Sequence, residues 1–370
     1  MSSSLKKNFQ KLFSFFGLFD FLKYNLSPKN IGIDLGTVNT LVCIEGIGIV
    51  LNQPSMLAII NDGNVDVSYL FGDDAKSMEG KTPLNISVRR PLSDGVITNY
   101  DDAKQLISHS IRKGKQIGGC SSRNIRNGNL TVICVPICST DADRRAMHQA
   151  ATEAGAGEIY LIEEPMAAAI GADIKIDHPA GNMIVNIGGG TTEIAIISAC
   201  GAVHQKSEIV GGNAIDFAIQ KYIEEEKNLL IGRRTAEDIK INIGCAYVEE
   251  GSELKKMNIR GRDLKSGIPT EICVTEKDIA IASSVAISRI INAIREILSI
   301  CEPDLADDIF KNGICLTGGS SSLKNLDEVI RRATSLQVTL LPDPHLAVIK
   351  GINTVISDID RYKHILTKIG

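Results

Sequence analysis

Two stretches decide how this chain is read: Ile31-Gly32-Ile33-Asp34-Leu35-Gly36-Thr37-Val38-Asn39-Thr40 and Asn186-Ile187-Gly188-Gly189-Gly190-Thr191-Thr192. Each is a glycine-bearing turn between two apolar runs, residues 31–33 and 41–44 around the first and 183–187 and 193–197 around the second. Short apolar runs flanking a polar turn read as buried β-strands. A phosphate chain needs backbone N–H donors close by and little side-chain bulk, and glycine permits both. Gly36, Thr37, Val38 and Asn39 can present such donors in the first turn, and Gly188, Gly189, Gly190 and Thr191 in the second. Asp34 adds a carboxylate where magnesium, through water, would sit beside phosphate. One glycine turn is weak evidence, because hairpins use glycine for their own geometry. Two matched turns imply two related domains that face one cleft and supply a turn each.

Working outward, residues 47–58 continue strand-like, with a break at Asn52-Gln53-Pro54, and residues 61–97 are less apolar and read as a small insertion with a turn at Asp62-Gly63. Residues 101–112 are helical, with Leu106, Ile107 and Ile111 on one side. A buried strand spans 130–137, and Thr140 with Asp143 three residues on suits a helix cap. Residues 158–162 form another strand, after which Pro165 suits the first turn of a helix. Residues 210–270 are charge-rich and read as a second, mostly helical insertion; a long helix covers 276–299, and 314–317 is a strand followed by Gly318-Gly319 and another helix. Strands alternating with helices predict α/β layers.

Glu163 and Glu164 stand at the end of a strand, immediately before a helix whose positive end points to the cleft. A carboxylate there can orient and polarise a water for attack on a γ-phosphate. The same carboxylate can equally serve as a helix cap. Gly318-Gly319 can let a nucleoside approach the backbone. Glu237 and Lys240, about one helical turn apart, can hold ribose or adenine edges, or can form a surface ion pair. No G-x-x-x-x-G-K-[ST] motif, G-x-S-x-G elbow or histidine pattern of metal-ligand spacing occurs.

With 370 residues, 44% of them hydrophobic, the chain can build two packed domains. A net charge of −4 supplies no basic excess for nucleic acid. The nine cysteines, Cys43, Cys134 and Cys315 among them, stand mostly singly in apolar runs without a C-x-x-C pair. They read as small buried hydrophobes in a reducing compartment. The first 27 residues hold six of the nine phenylalanines. On a helix, Leu5, Phe9, Leu12, Phe13, Phe16 and Phe19 share about a third of the circumference, with Lys6, Lys7, Gln10 and Ser14 away from them. The stretch is too short and interrupted to span a bilayer. It fits a helix lying in the headgroup region, each buried Phe contributing roughly 1.5–3 kcal/mol before ordering costs. A helix packed on its own domain or on a partner would carry the same pattern.

The segment 31–40 resembles the first phosphate motif of the actin, sugar kinase and Hsp70 superfamily, and more narrowly that of the bacterial actin-like MreB family. Further matches are Gly48-Ile49-Val50-Leu51-Asn52-Gln53-Pro54-Ser55, Arg90-Pro91-Leu92-Ser93-Asp94-Gly95-Val96-Ile97, Glu163-Glu164-Pro165-Met166-Ala167-Ala168-Ala169-Ile170-Gly171-Ala172, Arg234-Thr235-Ala236-Glu237-Asp238-Ile239-Lys240 and Leu316-Thr317-Gly318-Gly319. The resemblance runs from about Ile31 to Ile356. It implies an actin-like (ribonuclease H-like) α/β fold with two lobes, four subdomains and a nucleotide cleft. The implied division is 1–27 as the membrane helix, 28–172 as the first lobe with insertion 61–97, 173–344 as the second with insertion 210–270, and 345–370 returning to the first. It further implies ATP, or GTP, with Mg2+, and self-assembly into filaments. The filaments would lie on the inner face of the cytoplasmic membrane, determine cell shape and guide the cell-wall elongation machinery.

Glu164 would orient the attacking water and Asp34 would belong to the metal site. Glu237, Asp238, Ile239, Lys240, Gly318, Gly319, Ser320 and Ser321 would meet the nucleoside. Three departures stand out. The second phosphate motif of the family usually begins with Asp, and here it is Asn186, which lacks the negative charge that helps hold magnesium. A weak ATPase, or a membrane scaffold that binds ATP with little turnover or polymerisation, follows from that change. Ser320 replaces a usual glycine. The family's apolar membrane-contacting loop corresponds here to the polar and basic residues 121–129, which leaves membrane contact to the N terminus. A chaperone of the superfamily needs a peptide-binding domain after its ATPase region, which the residues up to Gly370 do not supply. A small-molecule kinase needs a base aimed at a substrate hydroxyl, which no motif reveals.

Overall fold

The computed structural model of the chain describes residues 29–61, 67–119 and 130–368. The N-terminal amphipathic segment, with Leu5, Phe9, Leu12, Phe13, Phe16 and Phe19, lies outside the described residues, as do the Asp62-Gly63 turn and the basic loop 121–129.

Two sheets organise the fold. The first has six strands in the order Thr367–Lys368, Glu158–Glu163, Leu130–Val135, Ile31–Leu35, Asn39–Ile44, Gly48–Pro54. The second has five, in the order Gly201–Glu208, Thr192–Ser198, Asn182–Ile187, Ile314–Thr317, Val338–Leu340. In both, a three-stranded antiparallel meander comes first and parallel strands are added beside its first member. Even the closing register repeats, with Leu35 paired to Thr40 and Ile187 to Thr192. The α/β two-lobed expectation therefore stands on a duplicated strand plan.

Between the sheets lies a shared core. Helix Glu164–Gly171 and helix Ala347–Ser357 pack there against Leu41, Cys43, Val132 and Ile162 of the first sheet and Ile184, Ala195 and Ile197 of the second. The alanine run 167–169 has a steric reason: the two helices approach so closely that a Cβ on Gly351 would lie 1.8 Å from the Ala167 carbonyl oxygen. A Cβ on Gly171 would lie 1.9 Å from that of Ala347. On the outer face of the first sheet, helix Tyr100–Ile117 buries Leu106, Ile107 and Ile111, the side read from the sequence. Helix Asp141–Glu153 begins with the Thr140/Asp143 capping box. Helix Glu276–Ser299 has the bounds expected and is capped by Thr275 and Asp278 in the same way.

Each lobe carries a smaller subdomain. The first is built on the three-stranded sheet Ser68–Phe71, Leu57–Ile60, Ile86–Arg89 with the short helix Asp73–Met78. The second combines helices Gly212–Lys227 and Arg233–Ile243 with a sheet of Leu229–Leu230, Lys256–Asp263 and Pro269–Thr275. Two readings need correction. Residues 210–270 are not mostly helical: their two helices end at Ile243, and a hairpin of Lys256–Asp263 and Pro269–Thr275 follows, with Ile259 and Val274 buried and most neighbours solvated, so its apolar pattern is sparse. Nor does the strand break at Asn52-Gln53-Pro54. Gln53 is buried and bonds Ser110, and Pro54 ends an edge strand, where its missing N–H is tolerated.

Candidate functional site

Both glycine turns open into one cleft between the lobes, a cavity of about 270 Å³. Their backbones match. In the first, Gly36 N–H donates to the Asn39 carbonyl at 3.1 Å; in the second, Gly188 N–H donates to the Thr191 carbonyl at 2.8 Å. The turns nearly touch. A Cβ on Gly189 would lie 2.1 Å from Val38 Cγ2, and one on Gly190 would lie 2.8 Å from Asp94 Cα. Only glycine fits there, because a neighbouring turn occupies the space a side chain would need.

The cleft wall is acidic at its floor. Asp34 and Glu164 both line it. Glu164 opens helix Glu164–Gly171, and Asn186 stands beside it as a hydrogen-bond partner. Burial pushes the Glu164 carboxyl well up, and the charges of Glu193 and Asp34 add to that, while Asn186 opposes it. Burial alone raises the Asp34 carboxyl to about 7. Glu163 is committed elsewhere, accepting a 3.0 Å bond from Arg144. Glu193 is fully buried and joins the lobes: its Oε2 accepts from Ile137 N–H at 2.8 Å and its Oε1 from Ser207 Oγ at 2.6 Å.

Magnesium fits this floor as a water-shared ion. Asp34 and Glu164 are acid groups without a Lys or Arg ion-pair partner among the described residues, so a cation beside them offsets a real electrostatic deficit. No group of three or more His, Cys, Asp or Glu side chains converges as a ready metal cage among the described residues. The remaining ligands would come from phosphate and water, as Mg2+ prefers.

At the other end of the cleft, Glu237, Lys240, Gly318, Gly319 and Ser320 line the wall with the turn residues Gly36, Thr37, Val38, Asn39, Asn186, Gly188, Gly189, Gly190 and Thr191. Three expected residues do not line it. Asp238 is exposed to solvent, Ile239 is fully buried in the second lobe's core, and Ser321 is buried with its hydroxyl donating to Gly318 O at 2.6 Å. Helix geometry explains the first two, since residues three apart share a face and those between them turn away. Glu237 and Lys240 are not paired with each other. Glu237 bonds Lys76 of the first lobe, and Lys240 lies 2.7 Å from Asp216 and donates to the Gly212 carbonyl at 3.1 Å.

Sequence reading missed Arg90, Asp216, Arg233 and Asn52, which also line the cleft. Asp216 was findable: it lies four residues past Gly211-Gly212 on a helix beginning beside the second turn, where Gly212 N–H donates to the Gly188 carbonyl. Ser55 and Ser320 were missed as braces. Ser55 Oγ donates to the Gly36 carbonyl at 2.6 Å and Ser320 Oγ to the Gly188 carbonyl at 2.7 Å.

With this geometry in view, the relatives are informative. The family model for MreB/Mbl protein matches residues 28–364. The chain is similar to the cell shape-determining protein MreB of Escherichia coli (strain K12), 41% identical over 336 residues, 90% of this chain and 95% of that protein. It is also similar to the cell shape-determining protein Mbl of Bacillus subtilis (strain 168), 38% identical over 333 residues, 90% and 97% of the two chains. The crystal structure of MreB5 of Spiroplasma citri bound to ADP superposes with a TM-score of 0.82 at 35% identity, covering 91% of this chain and 98% of that one. The same protein bound to AMPPNP gives 0.82 at 34%, with the same shares. The MamK double helical filament shares the fold at a TM-score of 0.74 and 23% identity, covering 89% and 99%. Two actin-like lobes of four subdomains, paired turns and a match along nearly the whole described length lead to one statement: the chain belongs to the MreB/Mbl family.

Proposed function

We propose that this chain is a nucleotide-dependent, actin-like cytoskeletal protein whose membrane-associated filaments determine cell shape and organise cell-wall synthesis. The observation that carries the reading is the pair of glycine turns, closed by the same backbone hydrogen bond in each lobe, opening into a single cleft. ATP is the proposed nucleotide, with GTP as the alternative. Its phosphates would rest on the N–H groups of residues 36–39 and 188–191, and its nucleoside near Glu237, Lys240 and Gly318-Gly319-Ser320. MreB5 of Spiroplasma citri, whose structures are bound to ADP and to AMPPNP, supports nucleotide binding. The proposed division is a first lobe of 28–172, a second of 173–344 and a return of 345–370 to the first.

Magnesium, held beside Asp34 by water and phosphate oxygens, would neutralise phosphate charge. Glu164, at the cleft floor, would accept a proton from, and so orient, a water facing the γ-phosphate. Asn186 steadies the Glu164 carboxylate by hydrogen bonding and brings no charge of its own. Slow hydrolysis follows, since one acidic group of the metal environment is an amide here. Nucleotide state would set the angle between the lobes and so favour one subunit contact.

Self-assembly is supported by the likeness of the fold to the MamK filament. No described helix is long and apolar enough to cross a membrane. Attachment to the inner face of the cytoplasmic membrane is assigned to the Phe-rich residues 1–27, and cell-wall partners are inferred from the MreB and Mbl relatives. Sedimentation with liposomes and Mg-ATP, followed by electron microscopy, tests the whole reading. Lipid-bound filaments that need nucleotide are expected. A protein that stays monomeric and lipid-free under every nucleotide condition refutes it.

A further inference from the structure

The two small subdomains meet across the cleft through charge. Lys76, on helix Asp73–Met78, places Nζ 2.9 Å from Oε1 and 2.8 Å from Oε2 of Glu237 on helix Arg233–Ile243. The two side chains are only 27% and 18% exposed, so solvent screens them less than a surface pair. The neighbouring charges are already committed. Arg90 grips Glu79 with three bonds of 3.0 to 3.3 Å, and Lys240 is held by Asp216. Arg233 lies near enough to Arg90 to feel its charge. Lys76–Glu237 is thus the ion pair joining the small subdomains among the described residues. Glu237 lines the cleft whereas Lys76 does not, so the ammonium reaches the carboxylate from outside the cavity.

We infer that Lys76 and Glu237 form a clasp that closes the cleft behind a bound nucleotide and slows its release. The inference rests on the nucleotide reading above. An ionised carboxylate offers about four acceptor positions. Glu237 can therefore accept a ribose hydroxyl on its cleft side and keep Lys76 on the other. The two partners ride on different lobes, which pack on each other through the helices and strands of the central core below the small subdomains. Separating the small subdomains by a hinge motion about that core requires breaking this pair. Escape of the nucleotide requires the same separation.

The test is release of a fluorescent ATP analogue from the full chain, chased with unlabelled ATP, for wild type, Lys76→Ala and Lys76→Arg. Lys76→Ala is expected to release it about two- to five-fold faster at low salt, the span expected for a part-exposed ion pair. Lys76→Arg stays close to wild type, and added salt narrows the gap between wild type and Lys76→Ala. Equal release rates for Lys76→Ala and wild type at low salt overturn the clasp. A wild-type chain that does not take up the analogue refutes the nucleotide reading instead. In that case the clasp is judged without nucleotide by amide hydrogen exchange of residues 73–78 and 233–243. Faster exchange of both helices in Lys76→Ala supports it, and unchanged exchange of both overturns it.

Discussion

The turn after strand Ile31–Leu35 and the turn after strand Asn182–Ile187 close with the same backbone bond, four-residue span and flanking register. Each has the carbonyl of its first glycine held by a serine hydroxyl from a distant segment, Ser55 in one lobe and Ser320 in the other. They differ in charge. Two residues before the glycine, the first lobe places Asp34 and the second places Asn186. The backbone plan is the same in both lobes, and the acid stands on one side only. That difference matters because the charges of Glu193, buried nearby, and of Asp34 already bear on Glu164. An amide at 186 donates to Glu164 without adding another negative charge.

The largest expected effect falls on the group between the turns. Glu164→Gln should lower steady-state phosphate release about 10²–10⁴-fold while nucleotide still binds. A variant as fast as wild type would remove Glu164 from the chemistry. Next, Asn186→Asp makes the two turns alike. Without divalent cation it should lower stability by about 2–3 kcal/mol at pH 8, because it loses a donor and adds a like charge at a buried site. Magnesium should recover much of that, and turnover should rise. A phosphate-release rate unchanged by the substitution would contradict the role given to Asn186.

The opposite change, Asp34→Asn, should stabilise the nucleotide-free chain. The Asp34 carboxyl titrates at about 7 when folded and at 3.8 in its ordinary state, so the folded chain binds that proton more tightly. The associated stability is greatest below about pH 4 and declines as pH rises to about 7. Asp34 keeps an edge on the cleft solvent, so the gain on substitution at pH 8 is about 1–3 kcal/mol rather than the full value for complete burial. Urea denaturation at pH 8 and pH 5 measures it, and an equal gain at both contradicts the assignment. The smallest effects concern the braces. Ser55→Ala and Ser320→Ala should each cost about 0.5–1.5 kcal/mol, and Ser320→Ala should speed amide exchange in residues 188–191 while leaving residues 36–39 unchanged.

Much of this was legible in the sequence where local chemistry decides structure. Thr140 with Asp143 marked a helix start, Leu106, Ile107 and Ile111 marked a buried face, and both turns announced themselves by glycine between apolar runs. What escaped depends on tertiary placement. Ser55 gave no local sign of its role, and Ser320 was read toward the nucleoside, until the fold set each against a glycine carbonyl. Arg90 and Arg233 carry no local signal for the cleft, and the meeting of the two lobes brings them to it. Asp238 and Ile239 show the converse, since a matching segment carried them toward the cleft while the helix turns them to solvent and to the core.

A crystal structure of the chain with a non-hydrolysable ATP analogue and magnesium tests the account most directly. It should show phosphate oxygens accepting from N–H groups of residues 36–39 and 188–191 at once, with the cation beside Asp34. An analogue bound outside the cleft, or held by one turn alone, would contradict it.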